Sequence, residues 1–175
     1  MRKEIRIAGT GGMGVVLAGV LMGHAAAVYG HMNVVQSQSY GSEARGTAAK
    51  SEVIISDGAI HYPKVRKSDL FVVMSQKALE MYIDGAKENS VLIVDPDLVD
   101  TSKIESEYEI VKVPAMKTAD ELGLRLVSNM IMLGALVKKA GLFGLDALEK
   151  AVADMVPPKY LELNIKAIHT GADFI

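Results

Sequence analysis

A glycine-rich turn near the start of the chain is the first group of residues whose spacing could do chemistry. It contains four glycines and one hydroxyl: Gly9, Thr10, Gly11, Gly12 and Gly14. Three of the glycines match the G-x-G-x-x-G spacing, with an apolar strand predicted before the turn and a helix after it. In this setting the first glycine allows a tight bend, the second lets the backbone approach a phosphate, and the third lets helix and strand pack closely. The N–H groups at the helix N-terminus would then face an anion.

The neighbouring residues weaken the common nucleotide interpretations of this turn. A dinucleotide-binding fold places an Asp or Glu about 20 residues after the glycines, but residues 33–38 read NVVQSQ. A P-loop places a Lys directly after the glycines, and this chain has no Lys there. The turn therefore predicts either an anion contact or a tight packing turn that binds no ligand.

A second polar segment, SYGSEARGT over residues 39–47, lies between strongly apolar stretches. Its candidate site residues are Ser39, Tyr40, Gly41, Glu43, Arg45 and Gly46. No Asp, Glu, Lys or Arg occurs between Arg6 and Glu43, so this quarter of the chain lacks the charges of a solvated surface. A solvated loop with a weak surface ion pair is one explanation of the segment. Its density of Ser, Gly and Gln favours a subunit interface or the edge of a cofactor.

The composition excludes several classes of function. Because the 175 residues include no Cys, the chain cannot form a disulfide, use a thiolate nucleophile, or hold a Cys-ligated zinc ion or iron–sulfur cluster. A net charge of −2 gives no reason to expect nucleic acid as a partner. The apolar segment 13–29 is shorter than the ~20 residues of a membrane span, so no membrane partner is expected. We expect one cytoplasmic domain over residues 1–175, with some of its apolar surface buried by a partner.

The order of elements predicts an α/β fold. We expect an open, mostly parallel sheet with a Rossmann-like glycine turn, a β-hairpin insertion and extra C-terminal helices. The predicted strands cover residues 4–8, 33–36, 50–56, 59–62, 68–75, 90–95 and 108–113. The predicted helices cover residues 13–29, 76–84, 119–141, 144–154 and 157–169. Asp57 and Gly58 form a hairpin-turn pair, which makes residues 59–62 the return strand of the insertion.

Residues near the predicted carboxyl ends of strands are further candidates, since ligands bind there in open α/β sheets. One crevice is predicted to be lined by Thr10, Ser39, Ser75 and Gln76. Asp95, Asp97 and Asp100 follow a buried strand, but a turn with helix-cap residues explains them better than a ligand site does. No two His residues have metal-ligand spacing with a carboxylate, so neither a metal site nor a catalytic residue is predicted.

Four ordered motifs together resemble a known family: GTGGMGVVLAG, SYGSEARGT, SEVIIS and YPKVRKSDLFVVMSQ. They are similar to the gamma subunits of 2-oxoacid:ferredoxin oxidoreductases, whose first two motifs usually read G-x-G-G-x-G and S-Y-G-P-E-x-R-G-G. This chain has Ser42 where Pro is common and Thr47 where a second Gly is common. The resemblance covers essentially the whole chain and is strongest over residues 5–75.

The resemblance implies a subunit of an enzyme that decarboxylates a 2-oxoacid, forms an acyl-CoA and reduces ferredoxin. Thiamine diphosphate with Mg would lie between the alpha and beta chains, and the iron–sulfur clusters in the beta chain or a ferredoxin-like delta chain. This chain would bind no cofactor alone, and its glycine turn and segment 39–47 would face the alpha–beta core near the cofactor or the CoA path. The resemblance favours 2-oxoglutarate over pyruvate and branched-chain or aromatic 2-oxoacids, because separate small gamma chains are commoner in 2-oxoglutarate-type complexes.

Two other classes of function stay open at this point. A stand-alone dinucleotide-binding protein would bind NAD(P) or a flavin at the glycine turn, and the missing acid counts against it. A non-catalytic homo-oligomeric binding module would use the turn only for packing, and the apolar composition fits it. A homodimer of the isolated chain is expected under the subunit interpretation as well.

Overall fold

In the described part of the chain six strands form one sheet, and helices cover both of its faces. The computed structural model describes residues 1–40 and 47–175. The strands are β1 (Arg2–Thr10), β2 (Asn33–Ser39), β3 (Ala48–Ser56), β4 (Ser68–Val73), β5 (Ala86–Val94) and β6 (Glu109–Lys112). The α-helices are α1 (Val15–His24), α2 (Gln76–Tyr82), α3 (Ala115–Glu121), α4 (Ser128–Ala140), α5 (Leu145–Met155) and α6 (Pro158–Ala172). A π-helical turn (Ala25–Tyr29) extends α1, and short 3-10 turns cover Ile83–Gly85 and Arg125–Val127.

The first strand of the chain lies in the middle of the sheet, whose order is β2-β3-β1-β4-β5-β6. β1 pairs antiparallel with β3 and parallel with β4, so that Ile5 lies opposite Val53 on one side and Leu70 on the other. β4–β5 and β5–β6 are also parallel, and β2–β3 is antiparallel. Three of the five pairings are therefore parallel, which confirms the predicted open, mostly parallel α/β sheet.

Alternate residues along the central strands face two separate apolar layers. Ile7 and Val72 belong to the larger layer, which α1, α4, α5 and α6 cover. Phe71 and Val73 belong to the smaller layer, which includes residues of α2. The continuous apolar run of β4 thus follows from burial on both faces, because a strand with only one buried face would alternate apolar and polar residues.

The β-hairpin lies at a different place from the predicted one. β2 and β3 pair antiparallel along their length, and the predicted return strand over residues 59–62 is wrong. β3 already has β2 on one side and β1 on the other, so it offers no edge to a return strand. The segment is bound instead by side chains of neighbouring strands: Asn33 Nδ2 donates to the Gly58 carbonyl at 3.2 Å and Arg2 donates to that of Tyr62 at 3.1 Å.

The helical region predicted over residues 119–141 consists of two helices. α3 ends at Glu121 and α4 begins at Ser128. Gly123 lies between them with a φ of 91°, a left-handed conformation that glycine adopts readily and that ends a helix. This break lets the N-terminus of α4 approach the glycine turn.

Two glycines let α4 and α6 cross closely. A Cβ atom at Gly134 would overlap the carbonyl oxygen of Ile168, and a Cβ atom at Gly171 would overlap that of Ile131. The two backbones are therefore nearer to each other than side chains would allow. Residues 128–137 of α4 are all buried. The crossing with α6 therefore helps to hold α4, including its N-terminus, in one position.

Candidate functional site

The glycine turn joins β1 to α1. Gly12 and Gly14 have φ values of 91° and 72°, a left-handed conformation that favours glycine. Gly14 is the N-cap of α1, and its carbonyl accepts a hydrogen bond from the Ala18 N–H at 2.9 Å. No side chain in the described part of the chain caps this helix end. The N–H groups of the first turn of α1 are therefore left to solvent or to a ligand.

The first glycine of the motif has a different role from the predicted one. Gly9 is buried at the end of β1, and a Cβ atom there would lie 3.1 Å from atoms of Met13, Val15 and Met74. Its φ is not left-handed, so the tight bend predicted at this position falls later in the turn. Gly9 provides close packing between strand and helix, whereas Gly11 has no neighbouring atom within 4 Å of an added Cβ.

Asn129, in the first turn of α4, forms a hydrogen bond to the glycine turn. Its side chain is 3% exposed and donates through Nδ2 to the Gly14 carbonyl at 3.2 Å. A Cβ atom at Gly14 would overlap that Nδ2. Sequence reasoning missed this residue, because it follows Gly14 by 115 positions. The only sequence signal was a polar residue directly before a long apolar run.

A cavity of about 370 Å³ brings the glycine turn and the start of the second polar segment together. It is lined by Thr10, Gly11, Gly12, Gly14, Val15, Val16, Leu17, Tyr40 and Ala49. Tyr40 is 65% exposed, and its hydroxyl accepts a weak hydrogen bond from Gln38 Nε2 at 3.5 Å. The juxtaposition of the two motifs follows from topology, since β2 and β1 are both neighbours of β3.

The remaining predicted residues of the second segment divide into two groups. Ser39 is exposed and belongs to β2, where it lies opposite Lys50; it does not line the cavity. The strand predicted over residues 33–36 thus extends three residues further, to Ser39. Four predicted site residues lie outside the described residues: Gly41, Glu43, Arg45 and Gly46.

Exposed apolar side chains border the cavity, and we call them the apolar rim. The rim consists of Leu17, Tyr40, Leu126, Met155 and Tyr160, of which Leu126 is 70% exposed. Leu17 lines both the glycine cavity and a second cavity of about 250 Å³, which Leu126, Met155 and Tyr160 also line. An apolar surface of this kind, continuous around a turn, is typical of a protein contact.

No charged side chain among the described residues lines the glycine cavity. Arg125 lines an adjoining cavity of about 120 Å³ with Gly12, but its Nε donates to Asp120 Oδ1 at 2.7 Å. That hydrogen bond holds the pKa of Asp120 below its usual value. Of the groups in the described part of the chain, backbone N–H groups and the α1 dipole would therefore do most to attract an anion at the turn.

The sheet order counts further against a dinucleotide site. In dinucleotide-binding folds the strand beside β1 ends with the acid that binds a ribose. Here that neighbour is the antiparallel β3, and β2 lies one strand further away. The last residues of β2 are Gln36, Ser37, Gln38 and Ser39, none of which is acidic.

The predicted crevice of four polar residues is not formed. Thr10 lines the glycine cavity, whereas Gln76 lines a separate cavity near residues 96–105. The hydroxyl of Ser75 caps α2 by accepting the Ala78 N–H at 3.2 Å. Ser75 is therefore a helix cap, and Gln76 Oε1 is engaged by the Asp100 N–H at 2.8 Å.

Asp95 has the structural role predicted for the acidic cluster. Its carboxylate is 1% exposed and accepts the N–H groups of Asp97 at 3.0 Å and Met116 at 2.8 Å. Burial raises the pKa of Asp95, and the two backbone hydrogen bonds oppose that rise. Through these hydrogen bonds the residue links the end of β5 to the first turn of α3.

Neither an iron–sulfur cluster nor a metal ion has a set of ligands in the described part of this chain. The sequence has no Cys to ligate an iron–sulfur cluster. Within residues 1–40 and 47–175, no three His, Asp or Glu side chains are grouped so that they could hold a metal ion. In the same residues, no helix is both long and apolar enough to cross a bilayer.

Comparison with known proteins places this fold and site in one family. The family model described as pyruvate ferredoxin/flavodoxin oxidoreductase matches residues 4–174. The 2-oxoglutarate synthase subunit KorC of Methanothermobacter thermautotrophicus is 47% identical, over 100% of this chain and 96% of that protein. The ketoisovalerate oxidoreductase subunit VorA of Methanothermobacter marburgensis is 30% identical over 98% of this chain but only 36% of its own length. The solved gamma subunit of a keto/oxoacid ferredoxin oxidoreductase from Geobacter sulfurreducens has 41% identity and a TM-score of 0.89, covering 99% of this chain and 95% of that one.

The α/β sheet with its glycine turn is thus the fold of an oxidoreductase subunit, and the chain belongs to the pyruvate ferredoxin/flavodoxin oxidoreductase family. Within that family it corresponds, over its whole length, to a gamma subunit of a 2-oxoacid:ferredoxin oxidoreductase. The resemblance predicted from the four sequence motifs is confirmed.

Proposed function

We propose that the chain is the gamma subunit of a 2-oxoglutarate:ferredoxin oxidoreductase. The complex would convert 2-oxoglutarate and CoA to the corresponding acyl-CoA and carbon dioxide, and would pass the electrons to ferredoxin. The assignment of 2-oxoglutarate as the substrate rests on the 47% identity, over nearly the whole of both chains, to a 2-oxoglutarate synthase subunit. Identity to the ketoisovalerate enzyme's subunit is only 30%.

The proposed partners are separate alpha and beta chains and a ferredoxin-like delta chain. In the ketoisovalerate relative, the segment that matches this chain is 36% of a longer polypeptide. The proposal assigns the functions of the rest of that polypeptide to the partner chains. Since this chain has no Cys, the iron–sulfur clusters would be held by those partners, as would thiamine diphosphate and its Mg. A cytoplasmic location fits this assignment.

The apolar rim is the proposed contact with the catalytic core. Its most exposed members, Tyr40 and Leu126, line two different cavities, and Gly12 of the glycine turn lines both of them. Burial against a partner would remove them from water. This would stabilise the contact by roughly 25 cal/mol for each Å² of apolar surface buried. The glycine turn would then be enclosed between the two proteins rather than open to solvent.

The glycine turn itself fits a phosphate-bearing ligand such as CoA. Gly11 and Gly12 are exposed and carry no side chain, so a ligand can approach their backbone closely. The uncapped first turn of α1 supplies further N–H donors. Glu43 and Arg45, which follow Tyr40 in sequence, are proposed to contact the core or the ligand at the same place.

Purification of the chain from its own anaerobic extract would test the subunit proposal. We expect a thiamine-binding chain and an iron–sulfur chain to copurify, with dye reduction that depends on 2-oxoglutarate more strongly than on pyruvate or branched-chain 2-oxoacids. Recovery of this chain alone would contradict the subunit proposal. A preference for another 2-oxoacid would contradict only the assignment of 2-oxoglutarate as the substrate.

Alanine at both Glu43 and Arg45 would test the site. We expect weaker assembly or a higher KM for CoA in the assembled enzyme. The matched control is alanine at Lys103 and Glu107, an exposed pair of opposite charges at the far edge of the sheet. If both double variants assemble and turn over like the parent, the placement of segment 39–47 is wrong.

A further inference from the structure

The outer edge of β2 is the feature that the subunit assignment leaves unexplained. β2 is the last strand on its side of the sheet and pairs, among the described residues, with β3 alone. Alternate residues of an edge strand point their N–H and C=O groups away from the sheet. Within residues 1–40 and 47–175, this seven-residue strand thus presents an outer row of backbone groups without a strand partner.

This edge lacks the features that usually prevent strands from pairing. Its sequence, NVVQSQS, contains no charge and no Pro. Edge strands that stay unpaired are commonly short, charged or interrupted by Pro. The opposite edge of this sheet has that character: β6 is four residues long, and its Glu109 and Lys112 form ion pairs with Lys139 and Glu105 at 2.5 and 3.2 Å.

We propose that β2 pairs antiparallel with β2 of a second copy of this chain, around a two-fold axis beside Gln36. Another strand is the partner that can satisfy every outward N–H and C=O group of such an edge, and a strand pairing antiparallel with itself is complementary by symmetry. With the axis at Gln36, Val35 lies opposite Ser37 of the other copy, and Val34 lies opposite Gln38. Every pair is uncharged, so no repulsion opposes this register.

The side chains of β2 are already held in position for this pairing. Gln36 Nε2 donates to Ser51 Oγ at 2.9 Å, on the face of the sheet that α1 covers. Gly23 of α1 packs against Val34 on the same face. The outer edge is therefore a rigid template, and a second strand need not order it. The result would be one continuous sheet through two chains, distinct from the apolar rim.

Sedimentation equilibrium of the purified chain tests the dimer, with Ser37→Lys as the variant. We expect a reversible dimer of the 18.7 kDa chain, with a Kd on the order of micromolar because one strand pair is a small interface. In the dimer the two introduced lysine side chains would be diagonal neighbours, roughly 7–8 Å apart. Their repulsion should raise the Kd about tenfold or more. Ser106→Lys, an exposed site on the loop between β5 and β6, should leave it unchanged.

A cross-link tests the register, and the absence of native Cys makes it specific. Gln36→Cys should be cross-linked to its counterpart by a short bifunctional thiol reagent, since paired Cβ atoms across the axis would be about 4.5–5.5 Å apart, slightly more than the about 3.5–4.5 Å of a disulfide. Ser106→Cys should not. A chain that stays monomeric at about 100 μM overturns the proposal. So does a dimer that Ser37→Lys fails to weaken and Gln36→Cys fails to link.

The two proposals fail independently. If the chain alone is monomeric but Ser37→Lys blocks copurification with the larger subunits, the edge binds a partner strand, and the second-copy proposal is wrong. If the chain dimerises through β2 but no partner chains copurify, the subunit proposal is wrong and the dimer stands. Because Ser37 is exposed, the variant should melt like the parent, which circular dichroism would verify.

Discussion

Asp95 shows how a single buried carboxylate can hold two elements together. Its two oxygens accept backbone N–H groups from the loop after β5 and from the start of α3. Both donors would lose their partner if the carboxylate were removed, and a buried donor without a partner costs about 1–3 kcal/mol. This residue matters for stability rather than for a ligand, although it lies at the carboxyl end of a parallel strand.

We expect Asp95→Ala to lower the free energy of unfolding by about 2–4 kcal/mol, because it leaves both N–H groups unpaired. Urea denaturation would measure the loss. Asp97→Ala is the control, since the Asp97 side chain is exposed and its backbone N–H is kept; it should change stability by less than about 0.5 kcal/mol. Equal effects of the two substitutions would contradict the role given to Asp95.

Asp154 is a second carboxylate that joins two elements, and it lies on the surface. Tyr29 donates to its Oδ2 at 2.5 Å and His24 Nε2 lies 2.9 Å from the same oxygen. The Tyr29 hydrogen bond, and then that of His24, lower the pKa of Asp154 below its ordinary value of 3.8. Because the folded pKa is the lower one, the contribution of this carboxylate to stability is present above pH 3.8 and is lost as pH falls through the folded pKa.

The thermal midpoint of Asp154→Asn should therefore lie below that of the parent near neutral pH, with the difference shrinking as the pH falls below 3.8. Differential scanning calorimetry across that range would measure it. Asp173→Asn, an exposed carboxylate near the end of α6, should give a small difference that does not vary in the same way. A difference for Asp154→Asn that is constant with pH would refute this explanation.

Which residues form the site could be predicted only in part. The glycine spacing predicted the turn, because the backbone conformation of a tight turn is determined by adjacent residues. Asn129 and Leu126 could not be predicted, since their place beside the turn depends on how α4 is positioned across the whole sheet. Ser75 and Gln76 were assigned to the right edge of the sheet, but their side chains are engaged in capping and loop contacts.

At the scale of elements, the π-helical turn explains how α1 binds α5. His24 and Tyr29 are five residues apart, which in an α-helix would separate them by roughly 140° around the axis. The wider π turn, Ala25–Tyr29, brings both toward the same side, where Asp154 of α5 binds them. The sequence predicted one helix over residues 13–29, because an apolar pattern does not distinguish α from π geometry.

The crossing of α4 and α6 gives a sharper test at this scale. Gly134→Ala should lower the free energy of unfolding by at least ~2 kcal/mol, because the new Cβ would meet the backbone of Ile168, which cannot move aside like a side chain. Chemical denaturation would measure the change. Gly58→Ala is the matched control, with no atom within 4 Å of the added Cβ. If both glycines tolerate alanine equally, the helices do not cross as described.

The strand and helix order was largely predictable, and the exceptions have physical causes. Long apolar or alternating runs identified the strands that make up the sheet, with ends shifted by a few residues. The predicted return strand over residues 59–62 was wrong. Asp57 and Gly58 favour a tight turn, but they cannot show that β3 already pairs with a strand on each side. Pairing partners are decided by the whole sheet, not by the turn.

At the scale of the whole molecule, the apolar rim and the sheet edge are two surfaces that meet at Tyr40, a rim residue whose hydroxyl accepts from Gln38 of β2. The rim borders the glycine turn, at the carboxyl end of β1, and the edge is the outer side of β2. The resemblance of the four motifs predicted the family, but no motif contains Leu126, Met155 or Tyr160. Those residues belong to the later helical region, and only the fold brings them beside the turn.

Leu126→Asp should therefore weaken copurification with the proposed alpha and beta chains by about tenfold or more, since a charge in a buried apolar contact is strongly unfavourable. Met81→Asp is the control: Met81 is 51% exposed on α2, which covers the other face of the sheet. Quantitative pull-down with tagged partners would compare them. Equal losses in both variants, or none in either, would exclude the rim as the contact.

The central position of β1 also has a consequence for how the chain acquires its structure. β1 is made first, yet its neighbours are β3 and β4, which end at Ser56 and Val73. β1 can pair on one side once Ser56 has been made, but its other side and the packing of Gly9 against Met74 must wait for β4 and the residue that follows it. The glycine turn depends on a still later part of the chain, because Asn129 of α4 donates to the Gly14 carbonyl. During synthesis the turn can therefore take up its native form only after α4 has been made, long after its own residues.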